Sequence, residues 1–107
     1  MMKILLLSLF IVSSSFSAIY KGQLEYIQHC VNCHDRGHGF IATKTQDQWT
    51  NLMNDNGLPL AMIHLLKKEA KESHSYYESK VYEKKSKHLK QFLVEYAKDS
   101  GKIPACN

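Results

Sequence analysis

The sequence predicts a compact all-α domain, and three observations support this fold class. Apolar residues recur at helical spacing near both ends of the chain. Two capping-box patterns lie between these segments, and each is typical of a helix N-terminus. No stretch alternates apolar and polar residues in the way that indicates a half-buried strand. The chain of 107 residues has no internal repeats and is predicted to form one domain.

Residues 1–17 have the layout of a secretory signal peptide. Lys3 supplies the positive charge, an apolar stretch follows it, and small residues lead up to Ser17. We expect cleavage after Ser17, with Ala18 as the near alternative, which leaves residues 18–107 as a mature periplasmic domain. An uncleaved membrane anchor is the competing interpretation. Because the apolar stretch is shorter than the roughly 20 residues that cross a bilayer, the mature chain is predicted not to span a membrane.

The first predicted helix covers residues 18–30. Tyr20, Leu24 and Ile27 fall on one face because they are three or four residues apart. Gly22 lies inside this helix, where glycine costs about 1 kcal/mol relative to alanine. A glycine at such a position indicates close approach by another backbone.

The middle of the chain is predicted to hold a loop and two helices. Residues 36–40 contain two glycines and are expected to form a loop. A capping box that starts at Thr45 opens a short helix, and Gly57 ends it because glycine readily adopts the left-handed conformation. Pro59 suits the first turn of a third helix, which we expect to run to about Glu72.

The last and longest helix is predicted to begin at a second capping box, which starts at Ser75, and to end near Lys98. Gly101 and Pro104 mark the end of this helix. The apolar residues that share one face of its C-terminal half are Leu89, Phe92, Leu93 and Tyr96.

The stretch that indicates a function is Cys30-Val31-Asn32-Cys33-His34. Two cysteines separated by two residues, with a histidine directly after the second, are typical of the attachment site of a c-type haem. The thiols add to the two vinyl groups of the porphyrin, and the histidine binds the iron. We therefore predict one covalently attached haem c, with Cys30 and Cys33 as thioether anchors and His34 as the proximal ligand. A cofactor also suits a chain this small, because its core alone is modest.

The three cysteines are an odd number, which a set of disulfides alone does not explain. With Cys30 and Cys33 on the haem, Cys106 is left as a free thiol or as the partner of a thiol on another molecule. A zinc site formed by these cysteines and His34 is disfavoured, because structural zinc usually pairs two such motifs. A thioredoxin-like redox motif is disfavoured because the sequence shows no βαβ pattern.

The two ends of the chain resemble the class I c-type cytochromes. The resemblance rests on Gly22, Tyr26 and the haem motif at the front, and on the apolar face of the last helix at the back. In that family an N-terminal helix with a glycine crosses a C-terminal helix, and the haem lies beneath the crossing. The resemblance implies the same crossing here, with Phe92 or Tyr96 packed over Gly22. Residues 45–87 match the family poorly.

The resemblance leaves the second axial ligand of the iron open. The family commonly has a proline soon after the proximal histidine, but none stands near His34. It also often supplies a methionine from a loop before the last helix, and here Leu58 stands where that methionine is expected. The candidates for the ligand are Met53, Met62, His74, His38, His64 and His88.

Met53 is the first choice because it lies four residues after Trp49 and so shares a helical face with an aromatic side chain. Met62 and His74 are the alternatives, and an iron without a second protein ligand is also open. The choice affects function, because methionine raises the reduction potential, a second histidine lowers it, and an open position binds gases.

Two further residues are candidates for contacts with the haem propionates. Arg36 is the only arginine in the chain, and its fork of donors suits carboxylates. Trp49 can donate its indole N–H to a propionate. A surface arginine and a core tryptophan are the simpler interpretations of the same residues.

These features predict a periplasmic single-haem cytochrome that shuttles electrons between redox partners and is not itself an enzyme. The net charge of +4, part of which leaves with the signal, is too small to indicate nucleic-acid binding. The lysine-rich stretch at residues 80–90 favours periplasmic or membrane-bound redox partners with acidic docking surfaces. The alternatives are a haem-based sensor or gas-binding module and a haem subunit of a periplasmic oxidoreductase complex.

Overall fold

The computed structural model describes residues 14–34 and 38–104, and every regular element in these ranges is helical. The elements are α1 (Ser14–His29), α2 (His38–Ile41), α3 (Gln46–Leu52), α4 (Asn54–Leu65), a 3₁₀ helix (Lys68–Ser73), α5 (His74–Tyr77) and α6 (Lys80–Glu95). The predicted all-α class is confirmed. None of the helices in the described ranges has the length and apolar character that crossing a membrane requires.

The most extensive contact between helices joins α1 to α6. At Gly22, an added Cβ atom would overlap the carbonyl oxygen of His88 and lie 2.7 Å from Cβ of Phe92. Only glycine permits this approach, because any side chain would push the two helices apart. One turn further along α1, the ring of Tyr26 packs on Phe92 with centroids 5.7 Å apart. The close approach that Gly22 predicts is present at this contact.

Aromatic side chains form much of the core. The buried apolar residues are Tyr26, Ile41, Trp49, Met53, Ala61, Tyr76, Tyr77, Tyr82, Leu89, Phe92, Leu93 and Ala97. The ring of Tyr82 lies nearly perpendicular to the rings of Tyr76 and Tyr77, with centroids 5.3 and 4.8 Å away. This edge-to-face arrangement is favourable for aromatic pairs. Of the apolar face predicted for the last helix, Tyr96 alone is only half-buried.

The N-terminus of α3 has the predicted capping box. The amide of Gln48 donates to Thr45 Oγ1 at 3.2 Å, and the amide of Thr45 donates to Gln48 Oε1 at 2.9 Å. These two bonds satisfy backbone donors that have no partner inside the helix.

A break near the start of α4 separates it from α3. Asp55, Asn56 and Gly57 have φ values of 51°, 54° and 75°, so the regular helix begins only after Gly57. Pro59 then lies in its first turn, as predicted. The hydroxyl of Tyr82 donates to the carbonyl oxygen of Gly57 at 2.5 Å and ties this break to α6.

Three predicted elements in the middle of the chain differ in the structure. The short helix that follows Thr45 ends at Leu52 and not at Gly57. The stretch expected to be a loop at residues 36–40 ends in the short helix α2. The third helix ends at Leu65 and not at about Glu72. The ring nitrogen Nε2 of His74 bonds the carbonyl oxygens of His64 and Lys67, at 2.8 and 3.1 Å, and so occupies acceptors that a continuing helix would use.

The last helix begins later and ends earlier than predicted. Ser79, not Ser75, is its N-cap: its Oγ accepts the amide of Tyr82 at 3.3 Å, and its backbone is extended. The helix ends at Glu95 and not near Lys98. Ser75 instead lies inside the four-residue helix α5.

We expect Gly22→Ala to lower the free energy of unfolding by about 2 kcal/mol, because the added methyl group overpacks the contact of α1 with α6. This expected loss of stability is opposite in sign to the effect of helix propensity, which favours alanine by about 1 kcal/mol. Urea unfolding followed by circular dichroism measures it. Gln28→Ala, on the exposed side of α1, is the control and should change stability by less than about 0.5 kcal/mol. A Gly22→Ala protein more stable than the wild type would contradict the contact.

Candidate functional site

A cavity of about 640 Å³ lies beside the turn that follows α1, bounded by residues of α2, α3 and α4. Its volume is within the range of about 300–1,000 Å³ that is typical of small-molecule and cofactor sites. The apolar and aromatic residues that line it include Phe40, Trp49, Leu52, Leu60, Ile63 and Tyr77. The sulfur-containing, imidazole and cationic residues that line it are Cys30, Cys33, His29, His34, His64, Lys44 and Lys67.

The Cys30–His34 motif forms one helical turn at the end of α1. The amide of Cys30 donates to the carbonyl oxygen of Tyr26 at 2.9 Å, which continues the helix. The carbonyl oxygen of Cys30 then accepts the amides of Cys33 at 3.3 Å and His34 at 2.9 Å. Residues three and four apart lie on the same side of such a turn. The structure thus brings Cys30, Cys33 and His34 together on one wall of the cavity.

Neither motif cysteine is in a disulfide within the described residues. Cys33 is exposed and Cys30 is half-buried. Burial raises the pKa of the Cys30 thiol to about 12, and the nearby charges of Glu25 and Cys33 add to this effect. Both sulfur atoms are therefore unpaired at the edge of the cavity, and that of Cys30 is held as a thiol.

His34 is held against an aromatic ring. Its imidazole stacks on Phe40 with centroids 3.9 Å apart and an angle of 18° between the planes. Burial, with the nearby charges of His64 and Lys44, lowers the pKa of His34 below its ordinary value. The neutral imidazole is the form that binds a metal ion.

His64, on α4, also lines the cavity. Its ring centroid is 6.1 Å from that of His34, and the two ring planes are nearly perpendicular, at 83°. Its Nδ1 is 2.8 Å from the carbonyl oxygen of Leu60. The sequence offers His64 only as one histidine among several, because nothing local distinguishes it.

The preferred candidates for the second axial ligand do not line the cavity. Met53 is buried in the core, with its methyl carbon 3.2 Å from where a Cβ atom of Gly57 would lie. Met62 is exposed on the surface of α4. His74 uses its Nε2 on the carbonyl oxygens that end α4. The structure therefore does not bring Met53, Met62 or His74 next to His34.

The two candidates for propionate contacts have different outcomes. Arg36 lies outside the described residues, as do Cys106 and most of the predicted signal peptide. Trp49 lines the cavity, but its indole N–H already donates to the carbonyl oxygen of Ile41 at 2.8 Å. Its contact with a propionate stays a prediction. Sequence reasoning missed the lysines that line the cavity, Lys44 and Lys67, since isolated lysines resemble any solvated residue.

No three histidine, cysteine, aspartate or glutamate side chains converge on a common point in the part of the chain that the structure describes. A site that binds a bare metal ion needs such a cluster, as structural zinc does with four ligands. A haem needs fewer protein ligands, because the porphyrin supplies four nitrogen ligands and the protein adds only axial ones.

Comparison of the chain with protein-family models, curated proteins and solved structures gives no match. The interpretation of the site therefore depends on its own residues and their geometry.

We expect Trp49→Phe to destabilise the protein by about 1–3 kcal/mol, because it leaves the carbonyl of Ile41 only the longer hydrogen bond from the amide of Lys44, at 3.5 Å, and shortens a cavity wall. Thermal unfolding of the purified protein measures the loss. Tyr20→Phe removes a polar group from an exposed ring and is the control, with a change below about 0.5 kcal/mol. Equal effects of the two substitutions would mean that the Trp49 hydrogen bond does not support the cavity.

Proposed function

We propose that the chain is a periplasmic single-haem c-type cytochrome that carries electrons between redox proteins. The main support is the convergence of two thiols and a histidine, Cys30, Cys33 and His34, on one wall of an apolar cavity. Their spacing is the one that covalent attachment of a porphyrin requires. The stretch at residues 1–17 supports export to the periplasm, where such attachment takes place.

The remaining cavity residues suit a porphyrin. Trp49, Leu52, Leu60 and Ile63 supply apolar surface for a flat ring and exclude water from it. Lys44 and Lys67 supply positive charge for the propionate groups. A bound haem would contribute a one-electron redox couple. The chain's own part is to tether the ring, to bind its iron through a neutral imidazole and to keep the surroundings unchanged between oxidation states.

The cytochrome c-like arrangement of the terminal helices is the second part of the proposal. Gly22 of α1 meets the backbone of His88 and the side chain of Phe92 on α6, which matches the glycine and aromatic residues expected at the crossing. In this proposal the contact fixes the position of α1, and therefore of the haem motif that follows α1 beside the cavity.

The proposed partners are redox proteins with acidic docking surfaces. Lys44 and Lys67 line the cavity, and exposed lysines of α6 such as Lys84 and Lys85 add to the positive charge. Complementary charge accelerates association and makes its rate depend on ionic strength.

The first test is covalent attachment of haem. We expect the exported wild-type protein to keep haem through denaturing electrophoresis, as detected by haem-dependent peroxidase staining. The double variant Cys30→Ala and Cys33→Ala should lose all staining, because both thioether bonds are gone.

Cys106→Ala is the matched control, because it removes the one cysteine outside the motif, and its staining should equal that of the wild type. Immunoblotting of the same samples shows that each variant is present. Staining that persists in the double variant, or that requires Cys106, would contradict the proposal.

The second test addresses docking charge. We expect the second-order rate of oxidation by ferricyanide, an anion, to fall between about 0.01 M and 0.15 M ionic strength, because the Debye length shortens from about 30 Å to about 8 Å. The paired change Lys44→Gln and Lys67→Gln should slow the reaction at low ionic strength and flatten its salt dependence. Stopped-flow absorbance measures both.

The matched control removes the same amount of charge from α6, as Lys84→Gln and Lys85→Gln. It should have a smaller effect on the rate, because these exposed side chains do not line the cavity. Equal effects of the two pairs would mean that net charge alone matters and that the cavity does not mark the docking surface.

A further inference from the structure

The ring separation across the cavity fits two ligands on one metal ion. A histidine nitrogen binds a metal at about 2 Å, which places the ring centroid about 3 Å from the ion. Two imidazoles on opposite sides of one ion therefore have centroids about 6 Å apart. The centroids of His34 and His64 are 6.1 Å apart, which matches this spacing.

The hydrogen bonds of His64 place its lone pair on Nε2, where bound iron would replace the long contact of 3.5 Å with the Tyr77 hydroxyl. Its Nδ1 is 2.8 Å from the carbonyl oxygen of Leu60, and because a carbonyl can only accept, Nδ1 carries the proton. The lone pair is then on Nε2. Histidines that bind metals almost always donate their other N–H to such a carbonyl or to a carboxylate.

The surroundings of Nε2 agree with this tautomer. The ring of Tyr77 stacks on His64 with centroids 4.4 Å apart, and its hydroxyl oxygen is 3.5 Å from Nε2. A protonated hydroxyl donates, and the atom it faces is an acceptor.

A second histidine fixes the helix end that presents His64. Nε2 of His74 bonds the carbonyl oxygens of His64 itself and of Lys67, at 2.8 and 3.1 Å. His74 therefore acts as a positioning residue that closes the last turn of α4, and its Nε2 is used in that role.

The other candidates are less suitable. Met53 and Met62 do not line the cavity. His29 does line it, but its ring stacks on Tyr76 with centroids 3.8 Å apart, and it directly precedes Cys30 on the same wall as His34. A ligand on that wall cannot reach the opposite side of the ring.

We infer that His64 is the second axial ligand of the haem iron, opposite His34, and that Leu60 and His74 position it. This inference rests on the proposed function, because the iron arrives with the haem. Two histidine ligands lower the reduction potential relative to a histidine–methionine pair. They also leave no vacant coordination position, which favours an electron carrier over a gas-binding module.

The experiment uses the exported, haem-loaded full chain and its optical spectra. We expect the wild type to be low-spin in both oxidation states, to lack the red-edge band of methionine coordination and to bind carbon monoxide poorly. His64→Ala should become high-spin and bind carbon monoxide rapidly, and added imidazole should restore the low-spin spectrum. Met62→Ala on the same helix and Met53→Leu are the matched controls and should keep the wild-type spectrum.

A second variant covers the case in which His64→Ala fails to fold. His64→Met keeps a ligand at the same position and should gain the methionine band and a higher midpoint potential. Unchanged low-spin spectra in both His64 variants, or a methionine band in the wild type that Met53→Leu removes, would overturn the inference. A wild-type chain without covalent haem would instead contradict the proposed function, so the two failures are distinguishable.

Discussion

The contact of α1 with α6 at Gly22 determines where the rest of the site lies. The helix α1 continues through Cys30 into the turn that ends at His34, so the distance between α1 and α6 sets the position of both motif cysteines. Phe92 meets both Gly22 and Tyr26, and Tyr26 accepts the amide of Cys30 through its carbonyl oxygen. The spacing of α1 and α6 therefore affects the position of the turn that lines the cavity.

Features that depend on neighbouring residues could be predicted from the sequence. Cys30, Cys33 and His34 share a wall because their spacing alone places them on one side of a turn. The capping box at Thr45 follows from the spacing of two side chains. The left-handed conformation at Gly57 likewise reflects the freedom of a single residue. In each case the controlling contacts lie within a few residues along the chain.

Features that depend on distant contacts could not be predicted in this way. Met53 shares a helical face with Trp49, but that face packs into the core and not into the cavity. The position of His64 depends on the break at Gly57, which Tyr82 holds from α6, and on the cap that His74 provides from α5. Neither contact leaves a local pattern in the sequence. Ser75 did show a local pattern, but Ser79 has the extended backbone that an N-cap requires.

The helix that presents His64 buries little of its own surface. Among its residues only Gly57 and Ala61 are buried, whereas Ile63 is 42% exposed. Apolar burial therefore stabilises α4 only modestly, and hydrogen bonds hold its two ends. With iron bound to His64, as we propose, the haem would join this weakly packed helix to the turn after α1. The same coordination bond that tunes the iron would then hold the cavity closed, since release of the ligand would free α4 from its link to that turn through the haem.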